Sequence, residues 1–129
     1  MLGSYPVTAN VPTTDVDRAA KFYTDVLGLN ESRRMGDEVV FYDCGNGTTL
    51  EVFRTRGSVA SGHTEAGWLV DDIDAVVSGL RDAGVEFEEY DSGEGMTTVN
   101  GIATSEMGKA AWFKDPDGNV LGLFQRGGS

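Results

Sequence analysis

The chain has 129 residues, 40% hydrophobic and 24% charged, with a formal net charge of −11, which suits one globular domain able to bury its own core. The acidic balance disfavours nucleic acid and anionic membranes as partners and permits cationic ligands, although solubility is its plainer meaning. A single cysteine, Cys44, excludes an internal disulfide, and no basic leader or apolar stretch near ~20 residues occurs, so a cytoplasmic chain without membrane span is expected.

The 18 glycines are spread along the chain and fall mostly where turns belong, which points to many short strands. Tyr5 to Val11 reads as a first strand, broken by Pro12-Thr13-Thr14. Thr14 or Asp15 can cap a helix running to about Leu27, with Val16, Ala19, Ala20, Tyr23, Val26 and Leu27 on one face and Gly28 as its stop. Period-two runs follow at Glu38 to Asp43 and Thr48 to Thr55, joined by the Cys44-Gly45-Asn46-Gly47 turn, with a less regular strand around Arg33 and Met35. Gly57 to Gly62 is a Ser/Gly loop. The pattern then restarts: a strand over Glu65 to Val70, an Asp72-capped helix from Ile73 to Ala83 stopped by Gly84, and a strand from Glu86 to Tyr90. A Gly-rich segment near 92–101, with Met96 and Met107 near its ends, reads as a candidate lid. Ile102 to Ser105 precedes a closing hairpin.

The restart is an internal repeat. Asp15-Val16-Asp17 matches Asp72-Ile73-Asp74 at an offset of 57, which also aligns Ala19 with Val76, Ala20 with Val77 and Tyr23 with Leu80; a one-residue slip then aligns Gly28 with Gly84. Two copies are too few for a solenoid. The economical arrangement is α+β: two tandem βαβββ modules, about 1–57 and 63–127 of a single domain over 1–129. Each helix covers the outer face of its own sheet, and the inner faces form a curved mixed sheet around a cavity.

The closing hairpin is built on Asp115-Pro116-Asp117-Gly118-Asn119 between the runs Ala110 to Lys114 and Val120 to Phe124. Pro116 presets the turn, the Asp side chains bond local backbone, and Gly118 accepts positive φ. This hairpin and the helix Asp15-Val16-Asp17-Arg18-Ala19-Ala20-Lys21-Phe22-Tyr23 together resemble the vicinal oxygen chelate superfamily, which includes glyoxalase I, the bleomycin resistance proteins and the extradiol dioxygenases. The resemblance covers essentially the whole chain. It implies the paired-module fold but not a reaction, since the fold hosts many chemistries.

The resemblance also implies four metal-ligand positions on the inner strands. They fall on Thr8, Glu51, Glu65 and Gly122. Two keep a carboxylate, none holds an imidazole, and a tight metal site needs more donors than that, so no metal or other cofactor is expected. His63, two residues before Glu65, could join Glu51 and Glu65 after a register shift, or simply be an exposed residue at the loop end. Without metal, Glu51 and Glu65 are candidate catalytic acid and base, candidate partners of a cationic group, or solvated side chains at the cavity mouth. Cys44 sits in a turn without an adjacent base and reads as an incidental thiol.

Strand alternation and the resemblance give the cavity an apolar wall of Phe53, Met107, Ala110, Trp112, Val120 and Phe124, with Gly122 leaving open space for a ligand. Trp112 offers either a flat surface for an aromatic or cationic ligand or ordinary core packing; Trp68, of opposite parity to Glu65, is assigned to the helix-facing core. Glu86, Glu88, Glu89, Asp91 and Glu94 form a solvated edge, or a rim favouring cations.

The resemblance then implies a metal-independent protein that sequesters an aromatic or cationic small molecule, as antibiotic resistance proteins do, through Thr8, Glu51, Phe53, Glu65, Met107, Ala110, Trp112, Gly122 and Phe124. It also implies a homodimer whose cavities are completed across chains. The rival is a glyoxalase-like lyase or isomerase using Glu51 and Glu65, with or without a weakly held divalent metal. A scaffold that kept the fold and lost its site is a third possibility.

Overall fold

The computed structural model describes residues 1–91 and 97–127. Strand β1 (Thr8–Thr13) leads into helix α1, which begins at Val16–Ala20 and continues as a wider π turn over Lys21–Val26. Asp15 caps it by accepting the Arg18 N–H at 3.1 Å. Strands β2 (Asn30–Met35), β3 (Val39–Asp43) and β4 (Thr49–Arg54) form an antiparallel meander, and β4 returns to pair with β1 in parallel. The first sheet therefore has the order β1-β4-β3-β2.

The second module repeats the plan. Strand β5 (Thr64–Leu69) is followed by α2 (Ile73–Asp82), capped by Asp72 through the Ala75 N–H at 3.2 Å. Then come β6 (Thr98–Val99), β7 (Ile102–Ser105), β8 (Gly108–Lys114) and β9 (Val120–Arg126), with sheet order β5-β9-β8-β7-β6. Again the outer pair, β5 and β9, is parallel and the rest antiparallel. The architecture is α+β, two mixed sheets from βαβββ-like modules, as the repeat implies. No helix among the described residues is long and apolar enough to cross a membrane.

Two departures from the sequence-based expectation have local causes. The one-residue slip in the repeat is accommodated in α1. Asp15 to Gly28 holds one residue more than Asp72 to Gly84, and the π turn takes it up, with Leu27 N–H bonding Phe22 C=O at 3.0 Å. The strand expected over Glu86 to Tyr90 is reduced to a single bridge, Phe87 to Phe113, beside a Glu88 N–H to Trp112 C=O bond of 2.8 Å. The reason is competition for one edge: β7 already pairs with Gly108, Lys109 and Ala110 of β8, so only the far end of β8 is free. Residues 92–96 of the candidate lid, including Glu94 and Met96, lie outside the described residues.

Burial on the helix side is continuous across the modules. Val11, Val40, Tyr42 and Val52 from the first sheet join Ala111, Phe113, Leu121 and Leu123 from the second in one core closed by Tyr23, Ile73 and Val77. The Phe22 ring of α1 stands 6.5 Å from Phe113, so the first helix packs onto both modules. Trp68 packs against this core, on its helix-facing side.

The closing turn anchors one module in the other. Asp117, its side chain 1% exposed, accepts from Thr13 Oγ1 at 2.5 Å, Thr14 Oγ1 at 2.7 Å, Thr14 N–H at 3.1 Å and Arg18 Nη2 at 2.7 Å. Buried Asp115 accepts from Tyr23 OH at 2.7 Å and from the Asp117 and Asn119 N–H groups at 2.9 Å each. Asn119 Nδ2 donates to Pro12 C=O at 2.8 Å. Burial pushes the Asp117 carboxyl up, but the Thr13 and Thr14 hydroxyls, the Thr14 N–H and the Arg18 guanidinium outweigh it and hold it below the usual carboxylate range. Burial, then the Asp115 charge and hydrogen bond, push the Tyr23 phenol far above its ordinary value, so it stays an O–H donor.

Asp117→Ala is expected to cost about 2 kcal/mol by urea denaturation, because it strands the buried Thr13 hydroxyl and removes the bonds that tie Thr14 and Arg18 to the turn. The acid dependence has a defined sign. A folded pKa below the unfolded one contributes stability that is complete above the unfolded value and lost as pH falls through the folded one. Urea midpoints should therefore drop more steeply in wild type than in Asp117→Asn below about pH 4; equal slopes would remove Asp117 from the acid response.

Candidate functional site

The sheet faces turned away from the helices carry the candidate ligand contacts other than Met107, which lies in the β7–β8 turn, and they divide into two groups. On the first sheet Glu51 lies between Asn10 of β1 and Phe41 of β3, Phe53 lies between Pro12 and Val39, and Thr8 opens β1 opposite Thr49. Glu51 and Phe53 are half-buried, and Thr8 is exposed. Arg33 stands 6.0 Å from the centre of the Phe41 ring on this same face.

On the second sheet the register sets Ala110 opposite Phe124 and Trp112 opposite Gly122. Trp112 is half-buried and meets two rings edge-on, Tyr90 at 5.6 Å and Phe124 at 6.5 Å. Glu65 sits at an irregularity in the β5–β9 pairing and accepts from Ser61 Oγ at 2.6 Å. His63 precedes the strand, is exposed, and donates its N–H to Ser61 Oγ at 3.3 Å.

Gly122 does not leave the opening expected of it. A Cβ there would lie 2.6 Å from Phe124 Cζ, and one at Gly67 would lie 2.5 Å from Phe124 Cε2. The Phe124 ring thus lies over two adjacent glycines of paired strands and fills the corner where a fourth metal ligand would stand. The residues at the four positions do not fit a metal. Gly122 has no donor and is roofed by carbon, Thr8 is a weak one, and among the described residues no three His, Cys, Asp or Glu side chains converge.

What the second face does form is a pocket of about 430 Å³ over β7, β8 and β9. Of the candidate contacts it gathers Met107, Ala110, Trp112 and Phe124; Thr8, Glu51, Phe53, Glu65 and Gly122 do not line it. Sequence reading missed Ala103, Ser105, Gly108, Lys109, Gln125 and Arg126, which also line it. The signal was present for Arg126: period two carries Gly122 and Phe124 on to residue 126 on the same face. A second hollow of about 220 Å³ lies on the helix side, between α2 and the end of α1, with Trp68 and Leu69 in its wall.

The acidic run is only partly a free rim. Glu88 pairs with Lys114 at 3.2 Å. Glu89 accepts from Thr98 Oγ1 at 2.6 Å and Gly101 N–H at 2.8 Å, and those bonds hold its carboxyl below the usual range. It therefore serves the β6–β7 turn.

Gly122→Ala should push the Phe124 ring off its seat at a cost of about 1 kcal/mol, since the ring is 37% exposed and can swing outward. Near-ultraviolet circular dichroism should change at the Trp112 band while far-ultraviolet spectra do not. An unchanged near-ultraviolet spectrum would mean that the ring is not seated there.

The model of the Glyoxalase/Bleomycin resistance protein/Dioxygenase superfamily matches residues 6–123. No curated protein matches the chain. Among solved structures it is similar to oxidase ChaP-H2 (26% identity, TM-score 0.69, covering 97% of this chain and 96% of that one). It is also similar to a bleomycin resistance determinant encoded on the transposon Tn5 (25% identity, TM-score 0.70, covering 95% and 98%). TnmS3, an antibiotic binding protein from Streptomyces sp. CB03234, shares the fold (24% identity, TM-score 0.71, covering 98% of each chain). With a family model spanning most of its length and a pair of βαβββ-like modules behind it, this chain belongs to the glyoxalase/bleomycin resistance/dioxygenase superfamily.

Proposed function

We propose that this protein binds a small aromatic molecule in the pocket over β7, β8 and β9, and sequesters it without a resident metal. The observation that carries the reading is Trp112, half-buried at the pocket and flanked edge-on by Tyr90 and Phe124. A face of Trp left beside an open apolar pocket offers contact area that the protein's own core does not use. Among the similar structures an antibiotic binding protein and a bleomycin resistance determinant accord with binding and oxidase ChaP-H2 accords with turnover, so the reading rests on the pocket itself. The carboxylates that a lyase or isomerase would need, Glu51 and Glu65, lie on separate sheets and outside the pocket lining.

The protein works as a homodimer in this reading. Met107, at the pocket wall, is 88% exposed, and a second copy covering it would deepen the pocket. Sedimentation velocity should give the dimer mass across a range of concentrations; the monomer mass throughout would count against this part.

Titration with 9-anthracenemethanol, a neutral flat probe, should quench tryptophan emission in wild type. Trp112→Ala should weaken the affinity at least about tenfold, and Glu51→Gln and Glu65→Gln should leave it unchanged. An affinity untouched by Trp112→Ala would overturn the pocket assignment. A catalytic turnover abolished by Glu51→Gln or Glu65→Gln would favour the acid–base enzyme.

A further inference from the structure

We infer that the pocket selects a flat aromatic acid, with its rings against Trp112 and Phe124 and its anionic group at Arg126. This rests on the binding reading above and adds the charge and length of the ligand.

Two cations line the pocket, Lys109 and Arg126, and strand register and pairing separate them. Gly108 pairs with Arg126, Ala110 with Phe124 and Trp112 with Gly122, so Arg126 stands on the face of Trp112 and Phe124. Lys109 and Gln125 are of the opposite parity and are committed to α2. Lys109 Nζ pairs with Asp74 at 3.0 Å, and Gln125 Oε1 accepts the Ile73 N–H at 2.7 Å. Among the described residues no carboxylate pairs with Arg126, and none lines the pocket. A cationic ligand would find no counter-charge there, and would meet the guanidinium.

The floor between the rings and Arg126 is bare. It consists of Ala110 and Gly108, with Ala103 beside them on β7. Gly108 is held at φ +129, and a Cβ there would lie 2.0 Å from Gln125 C=O, so no side chain can stand at that point. From Trp112, opposite Gly122, to Arg126 is four strand residues, about 13 Å. An arginine side chain turned toward the rings would cover part of that length. The remaining span fits two or three fused rings carrying a carboxylate or similar group at one end.

The chain as a whole is strongly acidic, at −11, so an anionic ligand is not drawn in by the general field. Discrimination must come from the local guanidinium, whose planar fork suits a carboxylate. Arg126 is exposed, so its effect is modest and screened by salt.

The test compares anthracene-9-carboxylate, anthracene-9-carboxamide and 9-anthrylmethylammonium by tryptophan quenching. In low salt the carboxylate should bind about fivefold tighter than the amide, and the ammonium weakest. Arg126→Gln should bring the carboxylate down to the amide and leave the amide unchanged; Arg126→Lys should keep part of the preference. Binding of all three with the ammonium equal to or tighter than the carboxylate would overturn the charge inference and leave the pocket reading standing. A carboxylate preference that survives Arg126→Gln would overturn the role of Arg126. No binding by any probe, with tryptophan emission responding only to protein concentration, would mean that a second copy fills the pocket, and both readings would fall.

Discussion

The turn Asp115 to Asn119 is where the two halves of this protein become one. It closes the β8–β9 hairpin of the second module, yet its side chains are spent on the first. Asp117 takes Thr13, Thr14 and Arg18, Asp115 takes Tyr23, and Asn119 takes the carbonyl of Pro12. The bonds to the two carboxylates are charge-assisted, and those of Tyr23 to Asp115 and Thr13 to Asp117 are shielded from water, where an unmatched partner is expensive, so the geometry is specified tightly. Among the described residues no buried side-chain polar atom lacks a partner. With β1 and α1 fixed to the hairpin, the helix-facing sides of both sheets close into one core.

Closing that side leaves the other sides of the sheets uncovered within one chain. The core consumes Tyr23, Tyr42, Phe113 and the β-branched residues, while Phe41, Phe53, Trp112 and Phe124 remain on the open faces. Large apolar side chains in that position call for a ligand or a second copy. The corner where related proteins would bring metal donors is instead a stack of carbon on backbone, the Phe124 ring over Gly67 and Gly122. The same ring stands edge-on to the adjacent Trp112, so carbon and aromatic surface occupy this corner.

Much of the fold was legible because it depends on local patterns repeated twice. The caps Asp15 and Asp72, the glycine stops, the alternation in β3, β4, β8 and β9, and the 57-residue offset each follow from spacing alone. The short fate of Glu86 to Tyr90 was not legible. A run with strand propensity cannot reveal that another strand has taken its partner edge. The extra residue of α1 was visible as an alignment slip, but its conversion to a π turn was not.

The candidate site divides along the same line. Sequence by itself, through alternation, set Phe53 beside Glu51 and Val120 and Phe124 beside Gly122 and kept Trp68 apart, because side-chain parity is a property of the strand alone, while the family resemblance supplied Met107, Ala110 and Trp112. It also determined that the four ligand positions hold only two carboxylates. Only the tertiary structure decided that Glu51 and Glu65 lie outside the pocket, that Phe124 covers Gly122, and that Lys109 is committed to α2 while Arg126 is left facing the pocket. Those outcomes depend on which strands become neighbours and on what a ring or a guanidinium meets across 15 or more residues of chain, as between Lys109 and Asp74 or Phe124 and Gly67. No local pattern carries that information.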